Sequence, residues 1–283
     1  MKILAIGDFH GKFPKRLKRK AEKEDIDFII SLGDYANADK IRKLIFKYWT
    51  DKPWHEAIGM KKARELEKES FYSGTAILKE LNSIKKPVYL IWGNTDFYKD
   101  YKFSSPPVIM PGYYEKKIKK MKNLVLLDKR KKSIGKTDVM GHGGYLDVTD
   151  YIKYPVHEDK KSQKKILRRY KNDERRLKKL FSRKKPKNGF IFAIHYTPYG
   201  YFDKITSRKN PMYNKHVGWE PYNNLIKKYK PMLVICGHMH EYQGMRKIGK
   251  SVVVNTGAAY EGKAALIEID EERKKVKSVK FIK

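Results

Sequence analysis

The sequence predicts an α/β protein, and two observations carry that expectation. Short apolar runs that end in glycine or polar residues recur at 3–6, 26–32, 88–92, 124–127, 190–194, 232–236 and 252–254, the pattern of strands buried in a sheet. Between them, apolar residues fall at helical spacing over 17–24, 41–49, 57–81 and 222–229, so strand and helix alternate through the first half of the chain. Neither a repeat nor a proline- or glycine-rich linker divides the 283 residues, which are therefore read as a single domain, 1–283, with insertions.

Taken in order, the first strand runs into Gly7-Asp8-Phe9-His10-Gly11 and the second into Gly33-Asp34. The segment 39–84 follows, helical in pattern and placed between two strands with polar ends, so it is expected to form a helical cap that shapes a pocket. The third strand ends in Gly93-Asn94-Thr95-Asp96. A second insertion, 158–187, carries 15 basic residues against four acids, a net +11. Within it Ile166, Tyr170, Leu177 and Leu180 are spaced as one helix face, predicting an amphipathic helix that packs on the body and leaves its basic face in water. That same face would serve as a contact surface for nucleic acid. The strand at 190–194 ends in His195, and that at 232–236 ends in Gly237-His238-Met239-His240. Alternation at 264–269 and 276–282 reads as antiparallel strands.

Composition narrows the class. Hydrophobic residues make up 40% and charged residues 34%, a globular rather than a disordered balance. Lysine and arginine number 65 against 32 acids, a net charge of +33, which points to polyanionic partners, nucleic acid or an anionic membrane surface. The single cysteine, Cys236, lies in an apolar strand and allows no intramolecular disulfide, in keeping with a reducing cytoplasm. The apolar start is too short for an export signal, and no run approaches the roughly 18 apolar residues of a membrane helix, so membrane insertion is not expected. No heptad seam sets an oligomeric state.

Chemistry concentrates at the strand ends. An Asp-x-His pair alone reads equally well as a turn in which Asp8 caps the next helix. Asp8, His10, Asp34, Asn94, His195, His238 and His240 together, however, are two carboxylates, an amide oxygen and four imidazoles. That is a mixed oxygen and nitrogen set suited to manganese, iron or zinc. Polar residues at the carboxyl ends of sheet strands face the crevice where α/β proteins hold ligands.

The order Asp-x-His, Gly-Asp, Gly-Asn-x-Asp, His, Gly-His-x-His resembles the calcineurin-like metallophosphoesterase superfamily across nearly the whole chain, and within it small archaeal and bacterial phosphoesterases of cyclic-nucleotide-phosphodiesterase type. The resemblance implies a four-layer αββα sandwich of two mixed β-sheets flanked by helices, and a metal-dependent phosphoric ester hydrolase with two divalent ions, manganese first and iron or zinc as alternatives. It puts Asp8, His10 and His240 on one ion, Asn94, His195 and His238 on the other, and Asp34 between them. Two ions about 3.5–4 Å apart lower the pKa of a shared water and neutralise phosphate oxygens during in-line attack. The implied nucleophile is the hydroxide, and the implied substrate a phosphodiester or phosphomonoester, nucleotides and nucleic acids among them.

One position departs from the family: Thr95 stands where the family has its catalytic histidine, and losing a general acid typically lowers rates about 10²–10⁴-fold. The catalytic set read from the sequence is therefore Asp34 and Asn94 with two candidate replacements for that histidine, His142 and His216, both in glycine-flanked stretches. Each also reads as a loop residue with a local hydrogen bond. His55 and His157 read as ordinary surface or packing residues, and Asn255 as a turn residue supporting the site. Tyr196, Tyr199, Tyr201, Phe202, Tyr213 and Trp219 crowd the stretch after His195, either packing on one another or stacking a base. Besides the phosphoesterase, two readings stay open: a nuclease with the same site, and a non-catalytic interaction protein that keeps the fold.

Overall fold

Two six-stranded sheets lie face to face with helices on both outer sides, in a computed structural model that describes residues 1–49, 52–99, 112–154, 159–187 and 189–283. His157 and Glu158 lie outside the described residues. The first sheet is built from β1 (Lys2–Ile6), β2 (Phe28–Ser31), β3 (Val88–Leu90), β4 (Leu124–Leu126), β11 (Ala264–Asp270) and β12 (Lys275–Ile282), in the order β12-β11-β1-β2-β3-β4. Strands β1 to β4 are parallel, with Ile3 opposite Phe28 and Ile29 opposite Val88, while β11 and β12 run antiparallel. The second sheet comprises β5 (Lys131–Ile134), β6 (Thr137–His142), β7 (Ile191–Ile194), β8 (Leu233–Cys236), β9 (Gly244–Ile248) and β10 (Ser251–Asn255), in the order β5-β6-β7-β8-β10-β9. Its four central strands are parallel and its two edges antiparallel.

The period-two alternation of side chains sorts each strand's residues into layers. Ile3, Ala5, Phe28, Ile30 and Ile267 point into the space between the sheets, where they meet Val139, Ile191, Ala193, Leu233 and Ile235. Leu4, Ile6 and Ile29 point the other way, onto α1 (Lys15–Lys23), α4 (Met60–Ser83) and α5 (Tyr114–Ile118), through Leu17, Phe71, Leu78 and Tyr114. On the far side Phe192, Ile194 and Val234 lie under α7 (Lys160–Lys184) and α8 (Glu220–Tyr229), through Leu177, Phe181, Tyr222 and Leu225. Each of these large side chains adds about 1.5–3 kcal/mol by burial. The architecture is the expected α/β four-layer sandwich.

Three local features differ from the sequence reading. The helical periodicity over 57–81 conceals a break at Gly59, whose φ of +83° separates α3 (Trp54–Ile58) from α4. The second half of α4 is one of the flanking helices of the sandwich rather than part of a cap, since Phe71, Ile77, Leu78 and Leu81 are buried against the first sheet. That leaves α2 (Asp39–Lys47) and α3 in the stretch between Asp34 and α4. Strands β5 and β9 were not expected, because lysine-bearing edge strands lack the continuous apolar runs of central ones; the central strand β6 was missed as well, its only large apolar residues being Val139 and Met140. No helix among the described residues is long and apolar enough to cross a membrane.

Candidate metal centre

All seven expected ligands sit just beyond the carboxyl ends of β1, β2, β3, β7 and β8, where the parallel strands of both sheets finish. Asp8, His10, Asp34 and His240 bring one ligand atom each to within 4.8 Å of one another, and Asp34, His195 and His238 do the same. Asp34 belongs to both groups: its Oδ2 lies 3.6 Å from His10 Nε2 and 3.6 Å from His195 Nε2. Asn94 Oδ1 completes the second group, 2.8 Å from His195 Nε2 and 2.9 Å from His238 Nδ1.

The chain is bent sharply to make this cluster. Asp8, His10, Asp34 and His238 have φ of +58°, +44°, +54° and +67°, a left-handed conformation that costs a non-glycine residue of order 1–3 kcal/mol and survives where surroundings over-determine it. Here the surroundings are backbone hydrogen bonds: Asp8 N–H to Gly33 O, and Phe9 and His10 N–H to Asp34 O, all at 2.9 Å. Asp96 clasps the other side, accepting from the N–H groups of Asp34, Tyr35 and Gly93 at 2.7–2.9 Å. Two glycines let the ends converge. A Cβ at Gly93 would stand 2.1 Å from Asp34 Oδ1, and one at Gly237 would stand 2.4 Å from Asp8 Oδ2.

The donor set fits divalent metal. His10 Nε2 and His240 Nε2 face each other at 3.0 Å, and His10 Nδ1 is buried without a hydrogen-bond partner. Burial drives His10 below the usual imidazole range and His238 down to about 3, so both rings offer lone pairs. Burial works against ionised Asp34, yet the imidazoles of His195 and His10 hold it well below the carboxylate range. Asp8 is likewise held down against burial by its contact with His240. For Asp96, burial and the Asp34 charge push the carboxyl up, to about 7, against the pull of its N–H donors. Burial works against a charged His240, yet its contact with ionised Asp8 raises it; the neutral rings of His10 and His238 beside ionised Asp8 and Asp34 are the protonation states that metal ligation requires.

Residues 1–281 match the family model of metallophosphoesterases of the calcineurin superfamily. The chain belongs to that family. Among solved structures, TT1561 of Thermus thermophilus is similar at 18% identity and a TM-score of 0.54, over 99% of this chain and 97% of the other. The phosphopantetheinyl hydrolase of Mycobacterium tuberculosis is similar at 13% identity and a TM-score of 0.50, over 92% and 90%. A dimetal phosphatase from Danio rerio is similar at 11% identity and a TM-score of 0.50, over 95% and 92%. No curated protein matches the sequence.

In this metallophosphoesterase Thr95 has a task of its own. Its N–H and its Oγ1–H both donate to Asp34 Oδ1 at 2.9 Å, which leaves Oδ2 turned toward both imidazole groups. Neither expected substitute for the family histidine belongs to the two ligand groups. His142 ends β6 fully enclosed, stacked on Trp219 and hydrogen-bonded through Nδ1 to Tyr222 Oη at 2.7 Å. Burial drops it to about 3, so the ring is uncharged near neutrality. His216 is more exposed, with its Nδ1 held 2.7 Å from the buried carboxylate of Asp203, which also accepts from Gly200 N–H and Gly218 N–H.

Asn255 supports the site through the backbone: its Oδ1 accepts from Gly257 N–H at 2.9 Å, and its Nδ2 reaches Met239 O at 3.5 Å, between the candidate ligands His238 and His240. Tyr196 stacks obliquely on His238, ring centres 4.1 Å apart. His55, on α3, packs beside Trp54 and Glu56. Two residues at the site escaped the sequence reading. Tyr260 sets its ring edge-on to His10 and His240, with Oη 3.4 Å from His240 Nδ1. Arg42, on α2, lies close enough for its charge to bear on His10, His240 and Tyr260. Neither sits in a motif; the fold alone brings them in.

Proposed function

We propose that the protein is a two-metal phosphodiesterase that also accepts phosphomonoesters. The observation that carries this reading is the position of Asp34, one carboxylate shared by two ligand groups. Asp8, His10, Asp34 and His240 would hold one ion, and Asp34, Asn94, His195 and His238 the other, with manganese the first candidate. Bound there, two ions supply Lewis acidity toward phosphate oxygens and an activated water as nucleophile. One structural relative is named a dimetal phosphatase, in agreement with a pair of ions.

The chain's own residues then divide the work. Thr95 fixes the rotation of Asp34 by two hydrogen bonds. Asp96 and the backbone hydrogen bonds hold the strained turns that present Asp8, His10 and Asp34. Arg42, on α2 and paired with Asp39 at 2.9 Å, bears by its charge on His10 and His240 and would supply a cation for a phosphate oxygen there, which would make α2 the working part of the cap. His216, oriented by Asp203, is the remaining candidate to protonate the leaving oxygen, since His142 is neutral and enclosed. Thr95 holding a ligand in place also speaks against a fold that has given up its site.

The test is hydrolysis of bis-p-nitrophenyl phosphate and p-nitrophenyl phosphate by metal-stripped protein reloaded with manganese. Turnover of the diester that depends on manganese and falls at least about 10³-fold in both Asp34→Asn and His195→Ala is the expected result. Protein shown to hold two ions per chain that cleaves neither ester, nor any nucleotide or oligonucleotide, would overturn the proposal.

A further inference from the structure

The outer face of α7 is built for a polyanion. Lys164, Arg168, Lys171, Arg175 and Lys179 succeed one another at spacings of three and four, and all are exposed. At about 100° per residue they form one stripe, centred about 150° around the helix from the stripe of Ile166, Tyr170, Leu177 and Phe181. The second stripe is the one committed to the core. Among the described residues, ion pairs with acids engage only Arg169, Arg176 and Lys178 of this helix, through Asp147, Asp173 and Glu174. The five-residue stripe therefore stands unneutralised along a helix about 37 Å long.

The helix is tied to the segments that flank the stretch after His195. Arg169 pairs with Asp147 at 2.7 Å, and Tyr170 Oη meets Thr149 Oγ1 at 3.3 Å, both in the loop and short helix α6 (Thr149–Lys153) that face the stretch after His195. Asp150, on α6, accepts from Tyr199 Oη and from His216 N–H. Along this rim lysines and tyrosines alternate: Lys153 lies over the Tyr199 ring at 4.2 Å, Lys215 over the Tyr154 ring at 4.4 Å, and Tyr154 and Tyr213 are exposed. Tyr196, on the inner side, stacks on the ligand His238.

We propose that the outward stripe of α7 and this tyrosine and lysine rim bind single-stranded nucleic acid and lead it to the metal centre. Lysines and arginines in a row track a phosphate backbone, and exposed aromatic rings between them stack unpaired bases without regard to sequence. A lipid surface fits less well, because a helix that lies on a membrane needs a free apolar face, and that of α7 is already buried. The proposal deepens the phosphodiesterase reading by naming its substrate class, but the binding half stands or falls without turnover.

The experiment is fluorescence anisotropy of the full chain with labelled 20-nucleotide single strands of DNA and RNA, and with the matching duplex, across a salt series. Each phosphate contact of a single strand contributes about −0.7 to the slope of log K against log salt, so losing three contacts weakens binding over 100-fold at about 0.1 M salt. Neutralising the stripe, with Lys164, Arg168, Lys171, Arg175 and Lys179 all changed to glutamine, is expected to cause that loss and to flatten the slope by about two. Tyr154→Ala with Tyr213→Ala is expected to weaken the single strand and not the duplex. The comparison variant removes five exposed charges elsewhere, changing Lys12, Lys15, Arg16, Arg19 and Lys23 to glutamine. An equal loss there, or less than a threefold loss from the stripe, would overturn the proposal. Should the fivefold variant unfold by circular dichroism, Lys164→Gln with Lys171→Gln carries the same test, with a slope change of about one expected and no change refuting it. Hydrolysis of bis-p-nitrophenyl phosphate is expected to stay within about twofold in all stripe variants. If that activity is absent in wild-type protein while the strand still binds, the phosphodiesterase reading fails and the binding face remains.

Discussion

Replacing Gly237 by alanine separates the metal centre from the fold. The added Cβ would lie 2.4 Å from Asp8 Oδ2, about 1 Å inside ordinary van der Waals contact, and its near neighbours are all atoms of the Asp8 carboxylate. Gly237 does not need the left-handed backbone, so no strain is added to the chain and the carboxylate is free to move aside. It moves, however, away from the His240 ring, 3.5 Å from its Oδ1, and away from the N–H of His238, which donates to both its oxygens at 3.0–3.1 Å. Metal–ligand distances tolerate about 0.2 Å, so a shift near 1 Å removes Asp8 as a ligand. By analogy with disturbed supporting shells, affinity for the ion held by Asp8, His10 and His240 is expected to fall about 10–100-fold or more, and diester turnover with it. The melting temperature of metal-free protein should change by no more than a few degrees. Metal content after dialysis gives the direct reading: about one ion per chain in the variant against two in the parent. Two tightly held ions and unchanged turnover would show that Asp8 is not a ligand, and the division of the seven residues into two groups would be wrong.

Other outcomes follow from the same geometry. Thr95→Val removes a hydroxyl bond to ionised Asp34 and keeps the N–H bond; at about 1.5–3 kcal/mol for a hydrogen bond to a charged group, kcat on the diester should fall about 10–100-fold, and an unchanged kcat would remove Thr95 from the positioning of Asp34. Arg42→Ala should raise KM for phosphate esters about tenfold while leaving metal content intact, and an unchanged KM would place its guanidinium away from the substrate. His142 is neutral in the fold, with its pKa lowered from the 6.5 of an exposed ring to about 3. Its contribution to stability is complete above pH 6.5 and is lost as the pH falls toward 3, because the unfolded chain takes up the proton first. Urea titrations of metal-free His142→Gln between pH 7 and 4 should therefore show a shallower acid loss than the parent, by up to a few kcal/mol, and parallel curves would contradict the enclosed neutral ring.

Much of the site was legible in the sequence because metal chemistry restricts residue types so severely. Few structural roles call for aspartate, asparagine and histidine together at five strand ends, so Asp8, His10, Asp34, Asn94, His195, His238 and His240 stood out from the surrounding apolar runs. The layers were legible for a similar reason: a central parallel strand is buried on both faces, and its continuous apolar run shows in the sequence. The lysine-bearing edge strand β5 left no such trace, since an edge strand's pairing comes from its neighbour and not from its own side chains, and neither did its central partner β6, whose only large apolar residues are Val139 and Met140.

By itself, then, the sequence determined which residues can bind metal, the alternation of strand and helix, and the one-sided charge of 158–187. Only the tertiary structure decided how those parts act together. It turned Thr95 from a missing acid into the support of the Asp34 carboxylate, and enclosed His142 against Trp219 while leaving His216 at the surface on Asp203. It also brought Tyr260 against His10 and His240, and set the charge of Arg42 to bear on them, from segments without a motif. The physical reason is that a side chain's protonation, reach and partners depend on burial and on neighbours distant along the chain, and those exist only after the two sheets have closed on each other.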